Sequence, residues 1–182
     1  YISMDYENAT VTDINGETRQ FVPAEYSIKN DLYSQNQIDF IDKYLNNLFK
    51  IVYEARENGK YYKFDENYDL VDSDVTNAEE AVSAVMDIDS VRDMYILYEI
   101  VHDYDCGEGS FYMCVDLSKD SKCPKLKFTS PWDFNWAYND STEKYYAGAF
   151  TDKNFVAKKG DRSNPWFIIL CKQDWFMDAV KE

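Results

Sequence analysis

The longest regular pattern of hydrophobic positions lies in the first third of the chain and predicts a helix. Apolar side chains recur there at the three- and four-residue spacing of a helical face: Ile38, Ile41, Leu45, Leu48, Phe49 and Val52. Ser34 and Gln37 form a capping-box pattern before this run, and Gly59 is a stop signal after it. We therefore expect the longest helix between Ser34 and Gly59.

Two shorter helices are predicted to follow. Thr76 with Glu79 forms another capping-box pattern, and the helix that it starts is expected to end near Met86. Asp89 is predicted to be the N-cap of a third helix, residues 90–103. The apolar face of this third helix consists of Val91, Met94, Tyr95, Tyr98 and Val101.

Strands are predicted at the start of the chain and again beyond its middle. Residues 1–6 have a strand pattern, and Asn15-Gly16 indicates a hairpin turn leading into a second strand, residues 19–24. Residues 110–115 and 126–130 are predicted to be the two strands of a later hairpin.

The carboxyl end is predicted to return to helix, with Asn164 as N-cap and Pro165 as the first helical residue.

Residues 61–74 mix aromatic side chains and carboxylates and show no period. With 182 residues and 45% hydrophobic content, the chain is expected to form a single domain, residues 1–182, of the α+β class.

Most aromatic residues at helical spacing are expected to be core, among them Tyr44, Tyr98, Trp166 and Phe176. Tyr61-Tyr62 and Tyr145-Tyr146 lie outside such a period, and exposed aromatic side chains there would favour a binding role.

The strongly acidic composition limits the ligands of this protein. There are 34 acidic and 19 basic residues, which give a formal net charge of −15. This charge repels nucleic acid and anionic lipid and attracts metal cations or basic partners. The acidic runs 65–74 and 116–120 do not match an EF-hand loop and are expected to be solvated surface. No apolar run has the length of a membrane span.

The four cysteines, Cys106, Cys114, Cys123 and Cys171, lack the spacing of a zinc site. Cys114 and Cys123 flank a turn-like segment, so a disulfide across the hairpin is one interpretation. Free thiols that act as small hydrophobic side chains are the other. His102, the only histidine, is assigned no role.

Asp133 stands among large aromatic side chains directly after the predicted strand 126–130. A charge held against apolar neighbours is costly unless a metal, a cation or hydrogen-bond donors compensate it. The sequence therefore predicts a binding partner for Asp133. The structural alternative is a carboxylate that accepts backbone N–H bonds in a tight loop.

Asp105 precedes the outgoing strand of the hairpin and Asp133 follows the returning strand, so both are expected at the same end. Two such oxygen donors suit Mg²⁺, and phosphoryl transfer uses one Asp at the attacking hydroxyl and another at the metal. Protein kinases have an Asn five positions after the catalytic Asp and an Asp-Phe-Gly one strand later. The corresponding residues here are Ser110 and the run Asp133-Phe134-Asn135. The alternative for Asp105 is a turn cap.

Residues 87–139 resemble the spore-coat CotH kinase family. The matching residues are Asp87, Asp89-Ser90, Glu99, Asp105, Ser110-Phe111-Tyr112, Pro131-Trp132-Asp133-Phe134 and Asn139. The resemblance implies an atypical protein-kinase-like fold, mainly its helical C-lobe with the β-hairpin that carries the catalytic and metal loops. It further implies binding of ATP with Mg²⁺ and phosphorylation of Ser or Thr on secreted, coat or cell-surface proteins. An extracellular, cell-surface or spore-coat location follows from the same resemblance.

The resemblance also implies roles for individual residues. Asp105 would be the catalytic base and Asp133 the principal metal ligand, with Ser110 and Asn135 as further candidates at the metal. Glu99 would be a structural residue or a residue that supports a metal ligand. The sequence departs from the family pattern because Asn135 replaces an Asp, Asp103 replaces an Asn and Cys106 replaces a Gly.

The chain has neither a Gly-rich phosphate loop nor a strand with the nucleotide-binding lysine of kinases. We therefore expect residues 1–182 to be the carboxy-terminal part of a longer kinase-like domain and to be a poor enzyme alone. The missing amino-terminal part would then be a partner, together with a protein substrate or a coat protein. The alternative is a non-catalytic CotH-like module that acts as a scaffold, an adhesin or a wall-associated interaction domain.

Overall fold

Helices account for most of the regular secondary structure, and the strands form short antiparallel pairs. A computed structural model describes residues 1–4, 10–12, 18–20, 24–101, 106, 109–137 and 164–182. Within these ranges the helices are α1 (Gln35–Glu57), α2 (Ala78–Val85), α3 (Ile88–Val101), α4 (Pro165–Leu170) and α5 (Asp174–Lys181). A 3₁₀ turn spans Phe134–Trp136. The predicted α+β class is confirmed, whereas the kinase-like arrangement stays a prediction.

The strands form four separate two-stranded antiparallel sheets in the described part of the chain. Their bounds are β1 (Ile2–Met4), β2 (Thr10–Thr12), β3 (Thr18–Gln20), β4 (Ala24–Tyr26), β5 (Tyr62–Phe64), β6 (Leu70–Asp72), β7 (Tyr112–Cys114) and β8 (Lys127–Thr129). The pairs are β1 with β4, β2 with β3, β5 with β6 and β7 with β8. The predicted strand 1–6 contains β1, and the predicted strand 19–24 overlaps β3 and the start of β4. Strand β3 pairs with β2, which the sequence did not predict, and Asn15-Gly16 lie outside the described residues.

Helix α1 begins and ends as its sequence predicts. The Ser34 hydroxyl accepts a hydrogen bond from the Gln37 amide at 3.4 Å, and the Gln37 side chain accepts one from the Ser34 amide at 3.2 Å. The reciprocal bonds satisfy two donors that the first turn leaves unpaired. Gly59 follows the last turn with φ +61°, a left-handed conformation that favours glycine.

The predicted N-cap of α2 is wrong by one residue, and the predicted N-cap of α3 is wrong by two. Asn77, not Thr76, caps α2, because its side chain accepts a hydrogen bond from the Glu80 amide at 2.9 Å. Asp87, not Asp89, precedes α3 and accepts from the Ser90 amide at 3.2 Å. In the first case Asn is the stronger capping residue of the two neighbours. In the second, the position is fixed by contacts with a distant strand.

Asp87 joins the start of α3 to the β7–β8 hairpin. Its amide donates to the Leu126 carbonyl at 2.9 Å, and the Leu126 amide donates to the Val85 carbonyl at 2.9 Å. Its carboxylate lies 3.6 Å from the Lys127 ammonium and 3.7 Å from the Cys123 thiol. One carboxylate therefore caps a helix and holds the returning strand against it.

Residues 61–74, which show no sequence period, form the β5–β6 hairpin. The Asp65 carboxylate closes its turn by accepting the amides of Asn67 and Asp69, both at 2.8 Å. The Lys43 ammonium on α1 donates to the Asn67 carbonyl at 2.9 Å and to the Asp69 carboxylate at 3.0 Å. A lysine of the protein thus neutralises part of this acidic run.

The core surrounds α4, all six residues of which are buried. The Trp166 ring lies 5.1 Å from Phe49 on α1, and the Phe167 ring lies 5.1 Å from Tyr95 on α3 and 5.5 Å from Phe128 on β8. Four aromatic residues predicted to be core, Tyr44, Tyr98, Trp166 and Phe176, are all buried. Tyr61 and Tyr62 are half-buried against the same core, so they do not form an exposed platform. The pair at 145 and 146 lies outside the described residues.

All four cysteines are free thiols, so the structure favours the second of the two interpretations of Cys114 and Cys123. Cys114 is exposed on β7, whereas Cys106 is buried. Burial also raises the pKa of the Cys171 thiol well above its usual value.

Among the helices that the structure describes, none is long and apolar enough to cross a membrane.

The shared cap gives a first prediction. We expect Asp87→Ala to lower the free energy of unfolding by about 1–2 kcal/mol, because the helix cap and the contacts to the hairpin are lost together. Asp89→Ala is the matched control: Asp89 lies in the same first turn of α3, where it forms an exposed ion pair with Arg92 at 2.9 Å, and its loss should cost only about 0.5 kcal/mol. Urea denaturation of both variants measures the difference. Equal losses would show that Asp87 does not hold the junction.

The thiols give a second prediction, because the thiolate is the species that reacts with alkylating reagents. Without reductant, iodoacetamide should modify Cys114 first. Cys171 should lag, since its raised pKa leaves less thiolate at any pH below that pKa, and Cys106 should lag because it is buried. Mass spectrometry of proteolytic peptides over time gives the order. Protection of both Cys114 and Cys123 until a reductant is added would instead indicate a disulfide.

Candidate metal-binding loop at the open end of the β7–β8 hairpin

The β7–β8 hairpin brings its entry and exit residues to one end. The register pairs Tyr112 with Thr129 at this end. Ser110 lies just before β7 and Ser130 just after β8, so the two serines share the open end of the hairpin. Asp133 follows three residues beyond Ser130. Ser110 therefore lies at the entry to this end of the hairpin, and Asp133 follows its exit along the chain.

The backbone at this end adopts uncommon conformations. Ser110, Ser130 and Asp133 have φ values of +48°, +55° and +63°, and in the described part of the chain Tyr68 is the only other non-glycine residue with positive φ. A non-glycine residue in this region costs of the order of 1 kcal/mol or more, although Asp tolerates it better than most. Such residues persist where the surrounding structure holds them, and they concentrate at ligand-binding sites.

Phe134 anchors the loop that carries Asp133. The Ala137 amide donates to the Phe134 carbonyl at 3.0 Å and closes a 3₁₀ turn. The Phe134 ring packs edge-on against Tyr98 of α3, with ring centroids 6.2 Å apart. Because Tyr98 is fully buried, the turn is fixed to the core through one aromatic contact.

The Asp133 side chain is exposed, contrary to the expectation of a charge held against apolar neighbours. Phe134, the residue after Asp133, packs against Tyr98, whereas Trp132, the residue before it, is 63% exposed. The Asn135 amide donates to Asp133 Oδ1 at 2.7 Å. The carboxylate therefore needs no compensation for burial, and it is accessible to a ligand.

The donor set fits Mg²⁺ only as part of a shared coordination shell. Mg²⁺ in nucleotide sites uses one or two protein carboxylates and completes its six ligands with phosphate oxygens and water. Asp133 offers one exposed carboxylate, and Asn135, whose amide is hydrogen-bonded to it, carries a further oxygen donor in the same turn. Across the described residues, no group of three or more His, Cys, Asp or Glu side chains converges on a metal position.

The described residues do not include Asp105, His102, Asp103 or Asn139. The structure therefore gives no distance between Asp105 and Asp133. The residue after Asp105 is described, however. Cys106 is fully buried, and its carbonyl accepts a hydrogen bond from the Asn164 amide at 3.0 Å.

Asn164 makes a second contact, with the Cys106 carbonyl, that the sequence did not predict. It was correctly predicted to cap α4: its side-chain oxygen accepts the amides of Trp166 and Phe167 at 3.0 and 3.3 Å. Its side-chain nitrogen binds the Cys106 carbonyl. Unlike an ionised Asp, which only accepts, Asn carries an amide donor as well as an acceptor, and that chemical difference is the signal that points to a second contact.

Glu99 lies beside Tyr95 and Cys171 on the inner side of α3. Burial raises the pKa of Tyr95, and the neighbouring Cys171 and Glu99 raise it further. Glu99 is half-buried in this cluster. The cluster is compatible with the structural role expected for Glu99.

No protein-family model, curated protein or solved structure matches this chain. The resemblance to the CotH family therefore depends on the motif residues themselves.

The double contact of Asn164 can be tested by substitution. We expect Asn164→Ala to lower the free energy of unfolding by about 2–4 kcal/mol, because the helix cap is lost and the buried Cys106 carbonyl loses its donor. Asn164→Asp keeps the capping oxygen but removes the donor, and it places a buried charge next to a carbonyl. It should therefore also be strongly destabilising. Chemical denaturation measures both. A wild-type stability for Asn164→Asp would show that the bond to Cys106 contributes little.

Proposed function

We propose that this chain is the metal-bearing part of a CotH-like phosphotransferase that transfers phosphate from Mg-ATP to Ser or Thr hydroxyls of secreted, coat or cell-surface proteins. The observation that supports it best is the open end of the β7–β8 hairpin. There, Ser110, Ser130 and Asp133 all have positive φ, and the Asp133 side chain is exposed. This is the place in the element order where kinases carry their metal-binding Asp-Phe-Gly residues.

In this proposal Asp133 binds the Mg²⁺ ion of Mg-ATP, and Asp105 orients the acceptor hydroxyl. Bound Mg²⁺ would neutralise the charge that develops on the transferred phosphoryl group. Asp133 contributes one carboxylate oxygen from a loop fixed by Phe134. Asp105 orients the acceptor hydroxyl and takes its proton as the oxygen attacks phosphorus, while the leaving ADP keeps the bridging oxygen.

The remaining nucleotide contacts are proposed to come from a preceding part of the same polypeptide. Kinases bind the α- and β-phosphates through a Gly-rich loop and a lysine, and neither pattern occurs in these 182 residues. The acidic charge of this chain, formally −15, would favour an acceptor segment that carries basic residues.

A second candidate function is a non-catalytic interaction module of the same family. Two observations favour it: Asn135 stands where the family pattern has a second Asp, and Trp132 is 63% exposed beside the loop. Exposed Trp side chains supply large contact areas in protein interfaces. In this alternative the loop binds a wall or coat partner, and no nucleotide is bound.

Nucleotide binding separates the two candidates. In the native polypeptide that carries this sequence, saturating Mg-ATP should raise the melting temperature, because a ligand at 100 times its Kd stabilises the native state by about 2.7 kcal/mol. Asp133→Asn should abolish most of this shift while leaving the melting temperature without ligand unchanged, since the side chain is exposed. Differential scanning calorimetry measures both quantities.

The matched control is Asp120→Asn, which removes the same charge from an exposed position in the β7–β8 connection. It should retain the full shift. If wild type shows no shift with Mg-ATP, the phosphotransferase proposal is wrong and the interaction module stands. A shift that survives Asp133→Asn would place the nucleotide elsewhere and also contradict the proposal.

A further inference from the structure

We propose that the amino-terminal end of α1 and the β5–β6 turn together form a docking surface for a Lys- or Arg-rich segment of a partner protein. This aromatic–acidic surface consists of three aromatic side chains and three exposed carboxylates: Tyr33, Phe40 and Tyr68 with Asp39, Glu66 and Asp69. It shares no residue with the Asp133 loop. The inference therefore goes beyond the proposed function and does not rest on it.

The first turns of α1 extend past the core and carry aromatic side chains with them. The first buried residue of α1 is Tyr44, although the helix begins at Gln35. Phe40 lies one turn before Tyr44 on the same helix face and is 36% exposed, and Tyr33, next to the N-cap, is 83% exposed. Single exposed apolar side chains need no explanation, whereas several at one end of one helix indicate an interaction site.

The β5–β6 turn holds Tyr68 against this end of α1. The Tyr68 ring packs edge-on against Phe40, with ring centroids 5.5 Å apart, and lies 5.6 Å from Tyr44. Its φ is +60°, which is unusual for a bulky side chain, and its carbonyl accepts a hydrogen bond from the Asn47 side chain of α1 at 3.0 Å. The helix thus fixes a half-buried ring that extends the aromatic surface from α1 onto the hairpin.

Carboxylates accompany these rings on both elements. Asp39 lies on α1, Glu66 and Asp69 lie on the turn, and each is exposed within two residues of one of the rings. The Lys43 ammonium donates to the Asn67 carbonyl and to the Asp69 carboxylate, so it balances one of the three charges. The surface keeps a net negative charge within a chain whose formal net charge is −15.

Aromatic rings and carboxylates on one surface match a cationic segment with apolar stems. Lys and Arg side chains pack their methylene stems and their charge against aromatic faces, and their charged groups pair with carboxylates. Nucleic acid and anionic lipid are repelled by the same negative charge. A second copy of this chain in a two-fold contact would place carboxylates against carboxylates. A basic protein segment is therefore the occupant that fits both the rings and the charge.

Fluorescence anisotropy tests the inference in the native polypeptide, with a short labelled peptide of alternating Arg and Gly as the probe. The measurement is made at about 0.15 M salt, where screening limits attraction between distant charges. Wild type should bind the peptide. Tyr33→Ala should weaken binding by about 2- to 30-fold, the range expected for a lost cation–π contact, and Tyr33→Phe should retain it. Ile100→Ala, which removes a 65% exposed apolar side chain from α3, should match wild type.

A pair of charge variants separates this surface from general attraction to an acidic protein. Asp39→Asn should weaken binding by about two- to fivefold and reduce its salt dependence. Asp120→Asn removes the same charge from the β7–β8 connection and should match wild type.

The inference is wrong if wild type does not bind the peptide, or if Tyr33→Ala and Asp39→Asn bind it as wild type does. Equal losses in Asp39→Asn and Asp120→Asn would show diffuse attraction and would also contradict it. Equal binding of a peptide of alternating Gln and Gly would overturn the charge requirement. Sedimentation equilibrium covers the remaining occupant: self-association of wild type that Tyr33→Ala abolishes would assign the surface to a second copy of the chain instead.

Discussion

The packing of a short, fully buried helix against α1, α3 and β8 is the constraint on which the structure depends. Helix α4 presents Trp166 to α1 and Phe167 to α3 and β8, with ring separations between 5.1 and 5.5 Å. Full burial of each such side chain stabilises the fold by about 1.5–3 kcal/mol, and edge-on ring contacts add to this. A helix of six residues has little stability of its own, so it forms only because it is surrounded.

The same core determines where the candidate site lies. Phe167 contacts Tyr98, and Tyr98 contacts Phe134, so two ring contacts connect the buried helix to the loop of Asp133. On the other side, Asn164 joins the start of α4 to Cys106, the residue after Asp105. Helix α4 thus holds both segments that flank the open end of the β7–β8 hairpin, the loop of Asp133 and the segment at Cys106, although the two are separated in sequence.

Local patterns predicted those parts of the fold that local interactions decide. The limits of α1, the cap at Asn164 and the β7–β8 hairpin follow from capping chemistry and hydrophobic spacing within a few residues. The β5–β6 hairpin was not predicted, because its turn is held by the Asp65 carboxylate and by Lys43 from a distant helix. The exposure of Asp133 was also not predictable, since it depends on a backbone conformation that the core imposes on the loop.

The Lys43 contact has a consequence for how this acidic protein responds to ions. Asp65, Asn67 and Asp69 alternate along the turn in a manner that resembles cation-binding loops, yet an ammonium group of the chain already occupies the Asn67 carbonyl and the Asp69 carboxylate. The protein therefore carries its own counter-ion at this turn. The β5–β6 hairpin should therefore keep its shape whether calcium is abundant or chelated.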